Sequence, residues 1–245
     1  IAANGKNGIK SGATTDEEGE ASLTIRGLTL NITASVNDAI NAEQELNIES
    51  GTLSIAAKDD AIHCDYVMNV GANGTAGPSI TITECYEGLE AATLNIRSGS
   101  IDITSTDDCL NAANSDLTDY SFSMTISGGT ITAYSSTGDG FDSNGDLTIS
   151  GGTVVVWTAN TADNQPLDAD GTLSVTGGTV LAAGGSSGMG VRISASQPYV
   201  TFGSAGGMGG GPSGMNGRPG GMGSTSAAQS SASLSKGSAF TIKDS

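Results

Sequence analysis

Aromatic residues, basic residues and long apolar runs are all scarce in this chain of 245 residues. Only 4% of the residues are aromatic, so the core must be built from aliphatic side chains. Lysine and arginine together number nine against 26 acids, and the net charge is −17. This balance excludes nucleic acid and anionic membrane surfaces as direct partners, although a divalent cation can join an acidic protein to an acidic ligand. No run is apolar for long enough to span a bilayer, so membrane insertion is excluded.

Charged residues are also few, at 14%, whereas glycine, serine and threonine are abundant. The Lys- and Glu-rich surfaces of helical proteins are therefore missing. This composition is typical of a secreted or bacterial cell-surface protein, which we expect to be a monomer. The chain begins at Ile1 without a signal peptide, as a trimmed mature form would, and we expect the natural protein to continue beyond Ser245.

One six-residue pattern recurs along the chain and organises it. In its fullest form, Asp107–Ala112, the pattern reads acid, acid, small, large apolar, polar, small. The large apolar residue serves as a marker, and the gaps between markers are 31, 22, 27, 21, 31 and 26 residues. The shortest gaps indicate a bare unit of about 22 residues, with loop insertions in the longer units. The seven markers are Ile9, Ile40, Ile62, Leu89, Leu110, Phe141 and Leu167.

Each marker is followed by two apolar-polar-apolar triplets separated by a glycine turn, as in Leu46–Ile48, Ser50-Gly51-Thr52 and Leu53–Ile55. This alternation is that of short strands with one buried face, and no segment sustains the spacing of a helix. Three short strands per unit predict one coil of an all-β parallel β-helix, with about seven to eight coils stacked ~4.8 Å apart. We assign residues 1–202 to this domain, 203–233 to a Gly/Met/Ser-rich loop, and 234–245 to a truncated terminal strand or cap.

Stacking converts the repeated acids into columns on the surface of the predicted solenoid. Carboxylates one strand spacing apart cannot all ionise without compensation, so some stay protonated or cations bind. An all-oxygen ligand set favours Ca²⁺ over Zn²⁺ or Cu²⁺. The alternative is a ladder in which Asp and Asn accept backbone N–H bonds at the corners. The predicted metal ligands are Asp38, Asp59, Asp60, Glu87, Glu90, Asp107, Asp108, Asn111, Asp139, Asp142 and Asp168.

The run from Asn37 to about Gly184, with its repeated D-A-I/L and S-G-G-T elements, resembles a family of bacterial cell-surface carbohydrate-binding proteins. The closing residues Phe240–Ser245 resemble the start of that family's C-terminal region. The resemblance implies a right-handed, single-stranded parallel β-helix like that of pectate lyases. It also implies bound Ca²⁺ and a polysaccharide partner, either cellulose or an acidic glycan such as polygalacturonate (pectin).

Separately, the D-D-x-x-D calcium motif of one pectate-lyase family resembles Asp107–Asn111, which ends in Asn, and Gly138–Asp142, which lacks the first Asp. Neither copy of the motif is complete.

A lyase also needs a base to remove the proton beside a uronate carboxylate. Lys58 is the best candidate for that base or for contact with the sugar, although neutralising Asp59-Asp60 is its favoured role. We interpret His63 as a surface ladder residue rather than a catalyst.

Aromatic side chains offer a second route to sugar. Strand alternation turns Tyr134 and Trp157 outwards on neighbouring coils, where they form either a sugar-binding strip or a ladder that only stiffens the surface. Tyr86, next to Glu87, is placed to line the acidic face.

The three cysteines have structural interpretations. No pair shows the CxxC spacing of a thiolate metal site. Cys64 ends one motif and Cys85 precedes the next, and this predicts a Cys64–Cys85 disulfide that pins the insertion 71–79. A Cys85–Cys109 pair stays open as an alternative. Otherwise Cys109 falls in a column of small residues, as a buried free thiol.

The sequence therefore favours non-catalytic, calcium-dependent binding of plant cell-wall polysaccharide. Two rival interpretations are a calcium-dependent pectate lyase and a structural or adhesive surface rod that calcium only stiffens. The residues define neither the sugar nor the number of calcium ions.

Overall fold

The computed structural model describes residues 1–13, 21–159, 164–185, 193–197, 199–202 and 229–232. These residues form strands and turns, with no helix among them, and hence none that could cross a membrane. The strands are β1 (Ala2–Ala3), β2 (Ile9–Ser11), β3 (Ser22–Ile25), β4 (Leu28–Ala34), β5 (Ile40–Ala42), β6 (Glu45–Ile48), β7 (Gly51–Ala57), β8 (Ile62–Val70), β9 (Ser79–Glu84), β10 (Leu89–Ile96), β11 (Ser100–Ser105), β12 (Leu110–Ala112), β13 (Ser123–Ile126), β14 (Thr130–Ser135), β15 (Phe141–Ser143), β16 (Asp146–Thr158), β17 (Leu173–Ala183), β18 (Ile193–Ala195), β19 (Tyr199–Phe202) and β20 (Gln229–Ala232).

The strands stack in three parallel sheets, which we call stacks one, two and three. Stack one contains β2, β5, β12, β15 and the first parts of β8 and β10. Stack two contains β3, β6, β13, β18, the later parts of β8 and β10, and the first parts of β16 and β17. Stack three contains β1, β4, β7, β9, β11, β14 and the later parts of β16 and β17.

The chain visits stacks one, two and three in turn and then repeats, which makes a parallel β-solenoid of about six turns in the described residues. The all-β, parallel solenoid predicted from the repeat is confirmed. The count of seven to eight coils and the right-handed sense remain predictions. Strands β19 and β20 pair with each other in a separate parallel sheet, so Gln229–Ala232, inside the predicted loop 203–233, is a strand. The rest of that loop and the predicted cap at 234–245 lie outside the described residues.

The seven marker residues form one column. Each marker pairs with the marker of the next coil, from Ile9 against Ile40 through to Phe141 against Leu167. Five of them, Ile40, Ile62, Leu89, Leu110 and Phe141, have no exposed surface. Burying one such side chain stabilises the fold by about 1.5–3 kcal/mol. The apolar member of every motif therefore packs into the core. The polar members lie at the corner of the coil, where Asp38, Asp60 and Asn111 are themselves largely buried.

The predicted Cys64–Cys85 disulfide is wrong, because the structure contains three free, buried cysteines. Cys64 Sγ faces the carbonyls of Gln44 and Val67 at 3.3 Å, whereas Cys85 Sγ faces the carbonyl of Thr104. The two thiols therefore lie at different corners of the coil. The 27-residue gap between Ile62 and Leu89 puts Ala91, and not Cys85, over Cys64.

Cys109 is the buried free thiol that the sequence predicts. Its Sγ lies 3.2 Å from the hydroxyl of Ser105, and burial raises the pKa of the thiol to about 12. The residue in the same place one coil earlier is Gly88, whose neighbour Leu89 donates its backbone N–H to Cys109 O. A Cβ at Gly88 would overlap that carbonyl and lie 2.9 Å from Ile103 Cγ2.

We therefore expect Gly88→Ala to lower the free energy of unfolding by about 1–3 kcal/mol, because the extra methyl forces two coils apart. Gly5→Ala is the matched control, since a Cβ at Gly5 meets nothing within 4 Å. Urea unfolding followed by circular dichroism measures both. Equal stability of the two variants would show that the coils do not approach each other as closely as described.

Candidate functional site

The acids of the repeated motif lie along the corner between stack three and stack one. The backbone ladder holds them in register, since Ala39 N donates to Asp60 O and Ala61 N donates to Glu87 O, at 3.1 and 2.9 Å. We call the residues two places before the markers the acid column: Asp38, Asp60, Glu87, Asp108 and Asp139. The residues directly after the markers form the second column: Lys10, Asn41, His63, Glu90, Asn111, Asp142 and Asp168. These columns with Asp59, Tyr86 and Asp107 make up the acid face.

Asp139, Asp142 and Asp168 form the cluster best suited to a cation. Each offers a carboxylate oxygen within 4.8 Å of the others. No described ion pair includes any of the three. Burial, and then the repulsion between neighbouring carboxylates, raises the pKa of Asp139 and of Asp142 to about 6. The cluster therefore combines oxygen ligands with uncompensated negative charge.

The acid column also performs the backbone role that the sequence left as the alternative. Asp139 N donates to Asp108 Oδ1 at 2.6 Å, and Gln165 N donates to Asp139 Oδ1 at 2.5 Å. Glu87 N donates to Asp60 Oδ1 at 3.3 Å. A carboxylate has two oxygens and about four acceptor positions, so one backbone bond leaves capacity for a cation. The two roles are compatible in the same residue.

Two amide oxygens on the acid face are buried without a donor. Asn41 Nδ2 donates to Asp38 at 2.7 Å, and Asn111 Nδ2 donates to Glu87 at 3.0 Å. The Oδ1 atoms of both Asn41 and Asn111 have no hydrogen-bond partner among the described residues. An unsatisfied buried acceptor costs about 1–3 kcal/mol. A cation would relieve this cost, because amide oxygens are ordinary ligands of Ca²⁺.

The carboxyl groups in the middle of the acid face, those of Glu87 and Asp108, are partly buried and have raised pKa values. Burial, followed by the nearby Glu90, raises the pKa of Glu87 to about 9. Burial also raises the pKa of Asp108 to about 8, with the neighbouring acids Asp142 and Asp107 adding to the effect. These carboxyl groups hold protons at neutral pH in the absence of a cation.

His63 is a counter-ion that the sequence analysis did not identify. Its Nδ1 lies 2.5 Å from Glu90 Oε2 and 3.3 Å from Asp60 Oδ2, and its Nε2 lies 2.9 Å from Asp65 Oδ1. Burial lowers the pKa of His63, but the three carboxylates outweigh burial and raise it well above its ordinary value. The imidazolium has no lone pair for a metal. Asp60, His63 and Glu90, although close enough to hold an ion, therefore already contain their cation.

A third cluster lies at the start of the acid face. Asp38, Asp59 and Asp60 offer oxygens within 4.8 Å of one another, and burial raises the pKa of each. Lys58 does not neutralise this group, since its Nζ forms an ion pair with Glu84. Because Asp60 is shared with His63, this cluster is less negative than the one around Asp142.

Tyr86 lies on the acid face, as the sequence predicts. Its side chain is 48% exposed, and its hydroxyl donates to Asp107, an interaction that raises the pKa of Tyr86 to about 12. Across the next coil, a Cβ at Gly138 would overlap Asp107 Oδ1, so this glycine leaves room for the carboxylate. An aromatic ring thus stands next to the carboxylates and open to solvent.

Tyr134 and Trp157 form the predicted aromatic pair on stack three. They are partners in the ladder between β14 and β16, and their ring centroids are 5.6 Å apart at an interplanar angle of 31°. Trp157 is 39% exposed. The strip lies on the outer surface of stack three, and the acid face lies at its corner with stack one.

A second aromatic group was missed at the sequence level. Tyr66 packs edge-on against Tyr120 with centroids 6.0 Å apart, and Tyr120 packs against Phe122 at 5.6 Å. The loop that carries Tyr120 is tied back by Asn114 Nδ2, which donates to the carbonyl of Asp65 at 2.9 Å. An aromatic pair two residues apart in an insertion was the available signal. The repeat could not reveal it, because inserted loops have no ladder register.

Comparison with known proteins identifies the family. Residues 1–140 match the profile of the family described as "Carbohydrate-binding domain-containing protein". No curated protein and no solved structure shows significant similarity to the chain. The match covers 140 of 245 residues, more than half of the chain. The chain therefore belongs to this family of carbohydrate-binding domain proteins, and its partner is a carbohydrate.

Proposed function

We propose that this protein binds acidic plant cell-wall polysaccharide, with polygalacturonate (pectin) preferred, through Ca²⁺ held on the acid face, and that it does not cleave the polymer. The observation that carries the proposal is the cluster of Asp139, Asp142 and Asp168, three carboxylates together without a basic partner among the described residues. The composition supports secretion or display on the bacterial surface.

The residues present fit Ca²⁺ by their chemistry. Asp139, Asp142 and Asp168 would hold the ion, and Asp38 with Asp59 would contribute to a second site. The orphaned amide oxygen of Asn111 adds a neutral ligand between the two clusters. When bound, Ca²⁺ supplies positive charge that attracts a uronate carboxylate to a surface that would otherwise repel it. The protein's own contribution is to fix the carboxylates at the spacing of the coils.

A role for Tyr134 and Trp157 in binding cellulose is the second part of the proposal. The exposed face of Trp157 and the tilted ring of Tyr134 offer about two coil spacings of aromatic surface. Sugar C–H faces pack on such rings through apolar and quadrupole effects. This strip carries no charge and needs no metal.

The lyase alternative needs a free base beside the metal cluster. Lys58, the best candidate by sequence, is held by Glu84, and both side chains are more than half exposed. The surface-rod alternative shares the calcium but lacks glycan binding, so a binding measurement separates it from the proposal.

We expect the protein to bind polygalacturonate in 2 mM calcium and to lose most of this binding in EDTA. Asp142→Asn should weaken calcium binding by roughly 10- to 100-fold, because it removes one charge-assisted contact. Asp102→Asn, an exposed acid on stack three, is the control and should behave as wild type. Titration calorimetry measures calcium, and gel retardation measures the glycan.

Ultraviolet absorbance of the same mixtures, which would rise if unsaturated uronates formed, should stay flat. A rise that Lys58→Ala abolishes would instead establish the lyase. Calcium binding without any glycan retention would establish the surface rod.

The raised carboxyl pKa values predict how pH acts on the metal-free protein. The carboxyl groups of Asp139, Asp142, Asp108 and Glu87 have pKa values of about 6 to 9 in the folded state, compared with ordinary values near 4. At a pH between these values, the folded state binds more protons than the unfolded state. Stability in EDTA should therefore fall as pH rises from 5 to 8. Because Ca²⁺ requires the ionised carboxylates, it should raise the melting temperature more at pH 8 than at pH 5. Melting curves at both pH values check this, and a calcium effect independent of pH would contradict it.

Trp157→Ala should weaken retention on cellulose by roughly threefold to tenfold, since one stacking face is lost. Retention on polygalacturonate in calcium should not change. Trp157→Phe keeps an aromatic face and should retain most of the binding. Unchanged cellulose retention in Trp157→Ala would show that the aromatic pair only stiffens the sheet.

A further inference from the structure

A groove lies at another corner of the solenoid, between stack two and stack three. It is open to solvent and has a volume of about 530 Å³. We call it the arginine groove, and define it by Arg26, Asn47, Glu49, Asn69 and Arg97, with residues 71–77 as one wall. The proposed calcium site lies at a different corner of the coil, where stack three leads into stack one.

The groove exists because one coil has no side chain at a position where its neighbours carry long charged ones. The ladder aligns Arg26, Glu49, Gly71 and Arg97, since Glu49 N, Gly71 N and Arg97 N each donate at 2.9 Å to a carbonyl of the preceding coil. Gly71 has a φ of +68°, which favours glycine, and a Cβ there would overlap Ser98 Oγ. The gap between Glu49 and Arg97 is therefore built into the backbone.

The wall of the groove is an ordered loop. Thr75 donates both its N–H and its hydroxyl to Ala72 O, at 3.1 and 2.8 Å. Ser98 Oγ accepts the N–H of Ala72 at 3.1 Å and lies 3.1 Å from Thr75 Oγ1. The insertion 71–79, which the sequence analysis expected a disulfide to pin, is instead attached to the next coil by these hydrogen bonds and gives the groove its depth.

The floor is an asparagine ladder with surplus donors. Asn69 Oδ1 accepts from Asn95 Nδ2 at 3.2 Å and from Arg97 Nη1 at 2.8 Å, which uses both of its lone pairs. Asn69 Nδ2 donates to Asn47 Oδ1 at 3.0 Å, and Asn47 Nδ2 donates to Glu45 at 2.9 Å. Each of these amides retains a second N–H, and Arg97 has further guanidinium N–H groups. The groove therefore offers mainly donors, and a matching ligand offers acceptors.

The charge of the groove differs in sign from that of the chain. Arg26 Nε pairs with Glu49 at 2.5 Å, so these two charges cancel. Arg97 takes part in no ion pair among the described residues. One net positive charge thus faces the groove in a protein whose total is −17. A guanidinium fork binds carboxylates through two parallel hydrogen bonds.

We propose that the arginine groove binds a carboxylate-bearing sugar, a uronate unit, without calcium. Arg97 pairs with the carboxylate, and the amides of Asn47 and Asn69 donate to hydroxyl or ring oxygens. That the ligand is a carbohydrate follows from the family, and its acidic class rests on the proposed function. The site itself does not depend on the proposed calcium cluster. The arginine groove would therefore contact the acidic polymer directly, without a bridging cation, at a second corner of the solenoid.

The test is titration of oligogalacturonate into the full chain in EDTA. We expect weak, salt-sensitive binding that Arg97→Gln reduces by roughly tenfold or more, because one charge-assisted contact is lost. Arg97→Lys keeps the positive charge but loses the two parallel guanidinium hydrogen bonds. Its affinity for oligogalacturonate should lie between those of Arg97→Gln and the wild type. Lys6→Gln removes the same charge from an exposed position outside the groove and should bind as wild type.

Three results would overturn this inference. The first is no binding of oligogalacturonate by the wild type in EDTA, and the second is equal binding by Arg97→Gln and wild type when both show the same melting temperature. The third is an equal loss of neutral cello-oligosaccharide binding in Arg97→Gln, which would show that the groove does not recognise the carboxylate. Asp142→Asn separates this test from that of the calcium proposal, since it should lose the calcium response and keep the binding in EDTA.

Discussion

The parallel backbone ladder is the constraint on which the rest of the structure depends. Each coil bonds to the next at a fixed register of ~4.8 Å, so a residue at one place in the repeat must lie over its equivalent. Ile40, Ile62 and Leu89 become a continuous core in this way, although a single coil could not bury any of them. The same register places carboxylates directly over one another, whatever their mutual repulsion.

The acid face relieves that repulsion differently at different coils. At the coil of Asp60, His63 supplies an internal cation. In the middle, Glu87 retains a proton because burial raises its pKa to about 9. At Asp142 no basic side chain of the described residues approaches, and the carboxylates of Asp139 and Asp168 stand beside it. At this end of the solenoid, therefore, the protein's own groups do not balance the negative charge of the carboxylates. We place the external cation there.

The repeat allowed the fold to be predicted down to individual pairs, because hydrophobic spacing determines which residues face inwards. The marker column, the aromatic pair of Tyr134 and Trp157, and the buried thiol of Cys109 followed from it. The disulfide prediction failed because loop insertions change coil length, so Ala91 lies over Cys64. The aromatic group around Tyr120 and the arginine groove were out of reach, since each is formed by an inserted loop that folds back on a coil.

The solenoid thus presents two chemically opposite corners, one that would hold polymer carboxylates through a cation and one that would hold them directly through Arg97. The measurement that tests the central claim most directly is an anomalous difference map from crystals grown with calcium. The account predicts a peak enclosed by Asp139, Asp142 and Asp168, which disappears in crystals of Asp142→Asn. A map without a peak at this cluster, at calcium concentrations that saturate the protein in solution, would contradict it.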